Sequence, residues 1–262
     1  MKKKGSLILI LIIALIIISF ISVNKSHKEI QPRPINDGTR VELPRIEEDD
    51  MIIEHSAYTL SYSEQHEQAE WVVYLMTRDR LQDLVDRNDN FRMDEDVPTG
   101  SAMREDYKGS GYSRGHLVPA ADMKWDETAM DETFLLSNIS PQLQEFNAGI
   151  WLKLEKRVRH WAEIYDSLWV VTGPVLRDGL PTIGENEVSV PEYFYKVVYD
   201  PKRGEMIGWL VPHKQLKTTA PKLAVTVDSI EKATGLDFFT AIDDEEEERM
   251  ESRLCKECWN WK

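Results

Sequence analysis

The sequence predicts an α+β domain around a mixed, mainly antiparallel sheet, preceded by an N-terminal transmembrane helix. Three observations carry this. Short β-branched and aromatic runs recur between turn-forming residues. One long apolar stripe, over residues 147–165, has helical spacing. A nearly unbroken apolar run over residues 7–21 stands behind Lys2, Lys3 and Lys4. The chain has 262 residues, 42% apolar and 30% charged, enough for one sizeable core, and no internal repeat divides it. A net charge of −14 excludes a protein that coats nucleic acid electrostatically, although a locally positive cleft remains compatible with it.

Residues 1–23 read as an uncleaved signal anchor, because no Ala-x-Ala site follows the apolar run. A cleaved signal peptide, giving a secreted or periplasmic protein, is the alternative. Lysines ahead of the run place the N-terminus in the cytoplasm and the body outside, as a single-pass protein of the cell membrane. Residues 24–50 carry Pro32, Pro34 and Pro44 without periodicity and form a tether. The folded domain covers residues 51–242, and residues 243–262 are an acidic tail ending in Cys255-x-x-Cys258.

Within the domain, residues 58–62 and 69–75 are early strands, and His66 in the polar turn between them is expected to be solvated. Residues 78–93 form a charged loop or short helix. Asp79, Asp94, Glu95 and Asp96 read as surface carboxylates. Residues 112–118 are extended, 126–130 form a short helix, and 134–139 form a strand that pairs near the first. The long helix follows over 147–165. Residues 168–176, 193–199 and 206–211 are sheet strands, the last two joined by the turn at Asp200-Pro201-Lys202-Arg203-Gly204. His213 reads as structural or exposed, and residues 225–233 start a helix with Asp228 as candidate cap. The cysteine pair outside the cytoplasm suits a small disulfide loop. Half a zinc site has the right spacing too, but the chain holds no second ligand pair.

Chemistry concentrates in Ser113-Arg114-Gly115-His116. In an extended segment Arg114 and His116 share one side. A guanidinium beside an imidazole suits a phosphate, with a rigid cationic fork next to a base that titrates near neutrality. Asn147 projects onto the apolar face of the long helix at its first turn, and Glu155 lies two turns later at the margin. An amide facing inward needs partners, whether backbone or a metal and its waters. Lys153, Lys156, Arg157, Arg159 and His160 give this helix a local positive excess.

The chain resembles the DNA/RNA non-specific endonucleases, the ββα-metal (His-Me finger) nucleases. The resemblance rests on Ser113-Arg114-Gly115-His116, Asn138-Ile139-Ser140-Pro141-Gln142, Asn147-Ala148-Gly149-Ile150-Trp151 and Glu155, in the family's order. It implies that His116 is the general base and Asn147 the direct ligand of a Mg²⁺, with Mn²⁺ as substitute. It also implies that Glu155 holds the ion's waters, that Arg114 stabilises the scissile phosphate, and that Asn138 supports the site. The implied substrates are DNA and RNA, held through phosphates without base reading and left with 5′-phosphates. Ser113 stands where the family has Asp, which removes a charge beside the site but leaves base and metal ligand in place. The alternatives are an inactive membrane-tethered nucleic-acid-binding or structural domain of the same fold, and a phosphodiesterase or phosphatase acting on small or lipid phosphates. A homodimer has no signature in the sequence.

Overall fold

The computed structural model describes residues 40–262, so the expected anchor and most of the tether lie outside the described residues. Among the described residues no helix is long and apolar enough to cross a membrane. A seven-stranded antiparallel sheet organises the domain. Its strands are β1 (Met51–Glu54), β2 (Tyr58–Ser63), β3 (Gln68–Thr77), β6 (Ser167–Pro174), β9 (Tyr193–Asp200), β10 (Glu205–Pro212) and β11 (Ala224–Val225), adjacent in that order. The strands numbered between these form two small separate pairs. These are β4 (Ser113–His116) with β5 (Ile139–Gln142), and β7 (Thr182–Ile183) with β8 (Val188–Ser189).

Helix α1 is Glu127–Glu132, α2 is Leu152–Tyr165, α3 is Val227–Thr234 and α4 is Asp244–Glu251. Alternate residues of the strands make the main core: Val72, Tyr74 and Met76 of β3 and Ile207, Trp209 and Val211 of β10 pack with Leu154, Val158 and Trp161 of α2. Burial of each such side chain contributes about 1.5–3 kcal/mol. The helix that carries the site motif is thereby clamped to the sheet.

The C-terminal segment is part of this body. Cys255 and Cys258 form the expected disulfide loop. Beyond it Trp259 is buried with its ring centroid 4.4 Å from that of Trp161. The Arg157 guanidinium donates to the Asn260 carbonyl at 3.2 Å, and Arg203 lies 3.6 Å from the centre of the Tyr165 ring and 4.7 Å from that of Trp259.

Local expectations change in several places. The strand expected over 134–139 begins only at Ile139, because Leu136–Asn138 turn as a 3-10 helix, and Pro141 lies within β5. Pairing of Arg114 with Pro141 makes this acceptable, since a strand with one partner leaves room for a residue without an N–H. Thr226, not Asp228, caps α3 by accepting the Ser229 N–H. His66 is buried rather than solvated, with Nδ1 2.9 Å from Ser189 Oγ. Asp94 is also buried, meeting His55 Nε2 at 3.0 Å and accepting the Ser137 hydroxyl at 2.5 Å, while Glu95 and Asp96 stay exposed.

Candidate active site

The site starts from the β4–β5 pair, in which Gly115 faces Ser140 and His116 faces Ile139. A Cβ on Gly115 would lie 2.2 Å from Cδ of Gln142, so glycine is what lets the buried glutamine fold against β4. Arg114 and His116 share a side, as alternation requires, and both meet Phe91. The Arg114 guanidinium lies 4.2 Å from the ring centre, and the His116 ring packs 5.4 Å from Phe91 and edge-on to Phe134 at 5.1 Å. Phe91 is the lone aromatic of the charged stretch 78–93, a signal the sequence carried without showing where it packs.

His116 is 8% exposed, and its Nε2 has no hydrogen-bond partner among the described residues. Burial, followed by the positive charge of Arg87, holds its pKa down at about 3, with Asp89 opposing and Arg114 adding to the shift. The imidazole is therefore neutral at neutral pH, the protonation state in which a general base acts.

Asn138 has the contact that the sequence left open. Its Oδ1 accepts the Val118 N–H at 2.9 Å, and its Nδ2 donates to the carbonyls of Val118 and Thr133 at 3.1 and 2.9 Å. The fully buried amide thus fastens the chain just beyond His116 and supports the site from behind.

The long helix does not begin as a regular α-helix. Asn147–Trp151 form a π turn in which Gly149 is non-helical, at φ −98° and ψ −108°. Such single π turns are frequent at functional sites because they re-aim a side chain. Asn147 lines a cleft of about 680 Å³ with Arg104, Lys108, Tyr112 and Arg114. Its side-chain amide has no hydrogen-bond partner among the described residues. Ser113 donates its hydroxyl to Gln144 Oε1 at 2.6 Å, linking β4 to the approach of this turn.

Glu155 is buried on α2 beside a group of ionisable side chains. Asp122 accepts from Tyr74 at 2.8 Å and pairs with Arg159, and the Lys196 ammonium lies 4.8 Å from the centre of the Trp151 ring. Burial and the Asp122 charge raise the Glu155 pKa, while Lys196 and Arg159 oppose them. Burial also lowers that of Lys196, whose Nζ has no hydrogen-bond partner among the described residues. Trp151 in turn donates its indole N–H to the His116 carbonyl at 3.4 Å, so the helix and the His116 strand are directly joined.

Of the residues expected at the site, Arg114 and Asn147 line the cleft. His116 adjoins it through Phe91, Asn138 lies behind, and Glu155 sits in the buried charge group. Of the helix cations expected to make the region positive, Arg159 pairs with Asp122 and Arg157 holds the C-terminal segment, and none of the five lines the cleft. The cleft takes its positive charge from Arg104, Lys108 and Arg114 instead, against the single carboxylate of Glu105. Arg104 opens a single 3-10 turn, Arg104–Tyr107, and Lys108 ends it, so nothing in their spacing announced them. Lys196, a charge inside the apolar run Phe194–Tyr199, was the visible sign of the buried group.

These residues suit a divalent ion. Asn147 lines the cleft, and Glu155, further along the helix, is held between the Asp122 carboxylate and the Lys196 and Arg159 cations; amide and carboxylate oxygens are the donors such an ion prefers.

The DNA/RNA non-specific endonuclease family matches residues 41–245. Human mitochondrial endonuclease G is 36% identical over 199 residues, covering 70% of this chain and 67% of its own. Nuclease C1 of Cunninghamella echinulata var. echinulata is 35% identical over 210 residues, 73% of this chain and 83% of its own. The mitochondrial nuclease EXOG of Mus musculus is 35% identical over 209 residues, 72% of this chain, and the match spans only 57% of that relative's length. In the crystal structure of the EndoG/EndoGI complex, one chain is 32% identical with a TM-score of 0.73, covering 82% of this chain and 95% of that one. A family match over most of the chain, together with relatives above 30% identity, places this protein in the metal-dependent DNA/RNA non-specific endonuclease family.

Proposed function

We propose that this chain is a Mg²⁺-dependent, sequence-non-specific endonuclease that hydrolyses DNA and RNA to leave 5′-phosphates, held on the outer side of the cell membrane by residues 1–23. The observation that carries this reading is the arrangement around Phe91, which brings a neutral buried imidazole and a stacked guanidinium to a cationic cleft that also contains Asn147. Arg114 binds the scissile phosphate, and its stack on Phe91 fixes the plane of its donors. His116 takes a proton from the attacking water as the new P–O bond forms. The P–O3′ bond breaks, and the departing 3′-oxygen takes its proton from solvent. Asn147 would hold the ion directly and Glu155 would face its waters. When bound, Mg²⁺ supplies positive charge against the negative charge that builds on the phosphate and the leaving oxygen. Arg104 and Lys108 face the backbone phosphates, which look alike for every base, so sequence preference is weak.

The test is cleavage of supercoiled plasmid and single-stranded RNA by the full chain in mild detergent, with Mg²⁺ or EDTA. His116→Ala and Asn147→Ala are run in parallel. Loss of cleavage in EDTA and in both folded variants supports the proposal. An active His116→Ala enzyme removes His116 as the base. External protease added to intact cells reports whether the domain faces outward.

A further inference from the structure

A second group of carboxylates lies outside the cleft. Asp228 and Glu231 stand three residues apart on α3, and Glu247 and Glu251 stand four apart on α4, so each pair shares a helix face. Carboxylate oxygens of Asp228, Glu231 and Glu251 lie within 4.8 Å of one another. Two oxygens bound to one Ca²⁺ are at most about 5 Å apart, because each sits about 2.3–2.6 Å from the ion.

Proximity of acidic groups alone is commonplace on a surface, but here the group is partly sealed. Glu251 is 5% exposed, and its Oε1 is buried with no hydrogen-bond partner among the described residues; the same holds for Oε1 of Glu247. Glu231 receives the Phe238 N–H at 2.9 Å on one oxygen, which orients the carboxylate. The nearby cations are engaged elsewhere. Arg45 pairs with Asp237 at 2.5 Å, Arg249 donates to the Gly204 carbonyl at 3.5 Å, and Arg253 pairs with Glu205 at 2.5 Å. A buried, unpaired carboxylate beside others of like charge is strongly unfavourable, and a divalent cation supplies the missing partner.

We propose that Asp228, Glu231 and Glu251, with Glu247 one turn away on α4, form a second divalent-cation site, taking Ca²⁺, that fastens α4 to α3. Oxygen-only donors, several of them charged and able to bind through one or both oxygens, suit Ca²⁺ better than a small ion that keeps most of its waters. The consequence reaches the cleft through the chain. α4 leads into the Cys255–Cys258 loop and then to Trp259, which packs on Trp161 of the site helix. The ion thus steadies the segment that backs α2.

The experiment is thermal unfolding of the full chain in mild detergent, freed of metal with EDTA and titrated with Ca²⁺ or Mg²⁺. It is made in an Asn147→Ala background so that the cleft contributes no ion binding through that residue. The expected result is a saturable rise of about 5 °C at a hundredfold excess of Ca²⁺ over Kd, lost in Glu251→Gln and in Asp228→Asn. Both replacements keep side-chain size, and circular dichroism confirms that they fold. No Ca²⁺-dependent rise in the parent, or a rise that survives both replacements, overturns the site. An equal rise with Mg²⁺ at the same concentration overturns the assignment to calcium.

Discussion

His213 Nε2 accepts the Leu143 N–H at 2.7 Å, while its Nδ1 donates to the Pro191 carbonyl at 2.7 Å. The ring is therefore neutral, with its proton on Nδ1. Leu143 in turn offers its carbonyl to the Asn147 N–H at 2.9 Å. His213, at the end of β10, is thus the post from which the turn carrying Asn147 hangs. His213→Phe keeps the aromatic packing against Phe146 and Phe194 but leaves the Leu143 N–H without its acceptor. The expected cost is about 1–3 kcal/mol of stability. Half-maximal cleavage should also require several times more Mg²⁺, read from rates across a metal titration.

Acid should affect His116 in a defined window. Its folded pKa is lowered to about 3 from an ordinary value near 6.5, so between these values the unfolded chain binds the extra proton. Stability contributed by the neutral imidazole is present above pH 6.5 and is lost as pH falls toward 3. Urea unfolding at a series of pH values should show this slope, and His116→Ala should flatten it. For the same reason the acid limb of kcat/KM should lie below pH 6.5. Arg87→Met should move that limb upward, because it removes a positive charge that disfavours the imidazolium. An acid limb unmoved by Arg87→Met would remove that arginine from the account.

Gly115→Ala places a methyl group 2.2 Å from Gln142 Cδ in a buried pair of strands. Overpacking of this kind costs about 1–3 kcal/mol. A lowered Tm and a lowered kcat are expected together, since β4 carries both Arg114 and His116. Gly115→Ala/Gln142→Ala should recover part of the Tm by opening the space.

Phosphate contacts by Arg104 and Lys108 should appear as salt dependence. Each phosphate neutralised on duplex DNA contributes about 0.9 to the slope of log K against log salt. Lys108→Met should therefore reduce the slope by roughly 1, raise KM uniformly across DNA sequences and change kcat little. Binding of a duplex to metal-free protein across a salt series checks this. A slope equal to that of the unaltered chain would place Lys108 outside the substrate path.

The sequence by itself determined the antiparallel α+β class, the strands later observed as β2, β3, β6, β9 and β10, and the two halves of the site motif. The reason is local. Period-two and helical patterns are written in consecutive residues, and Arg114 and His116 share a side whatever they pack against. The Cys255–Cys258 loop was legible too, since its cysteines stand only three positions apart. Tertiary structure decided the rest, because long-range packing sets burial and partners. It buried His66 and Asp94, turned Leu136–Asn138 out of the sheet, and made the helix start at Asn147 a π turn. It directed Arg157 and Arg159 away from the cleft and brought Arg104 and Lys108 into it. Lys196 gathered with Glu155 and Asp122 only because β9, α2 and the turn after β4 meet there. A charge's role depends on which opposite or like charges the fold places within a few ångströms, and no spacing along the chain encodes that.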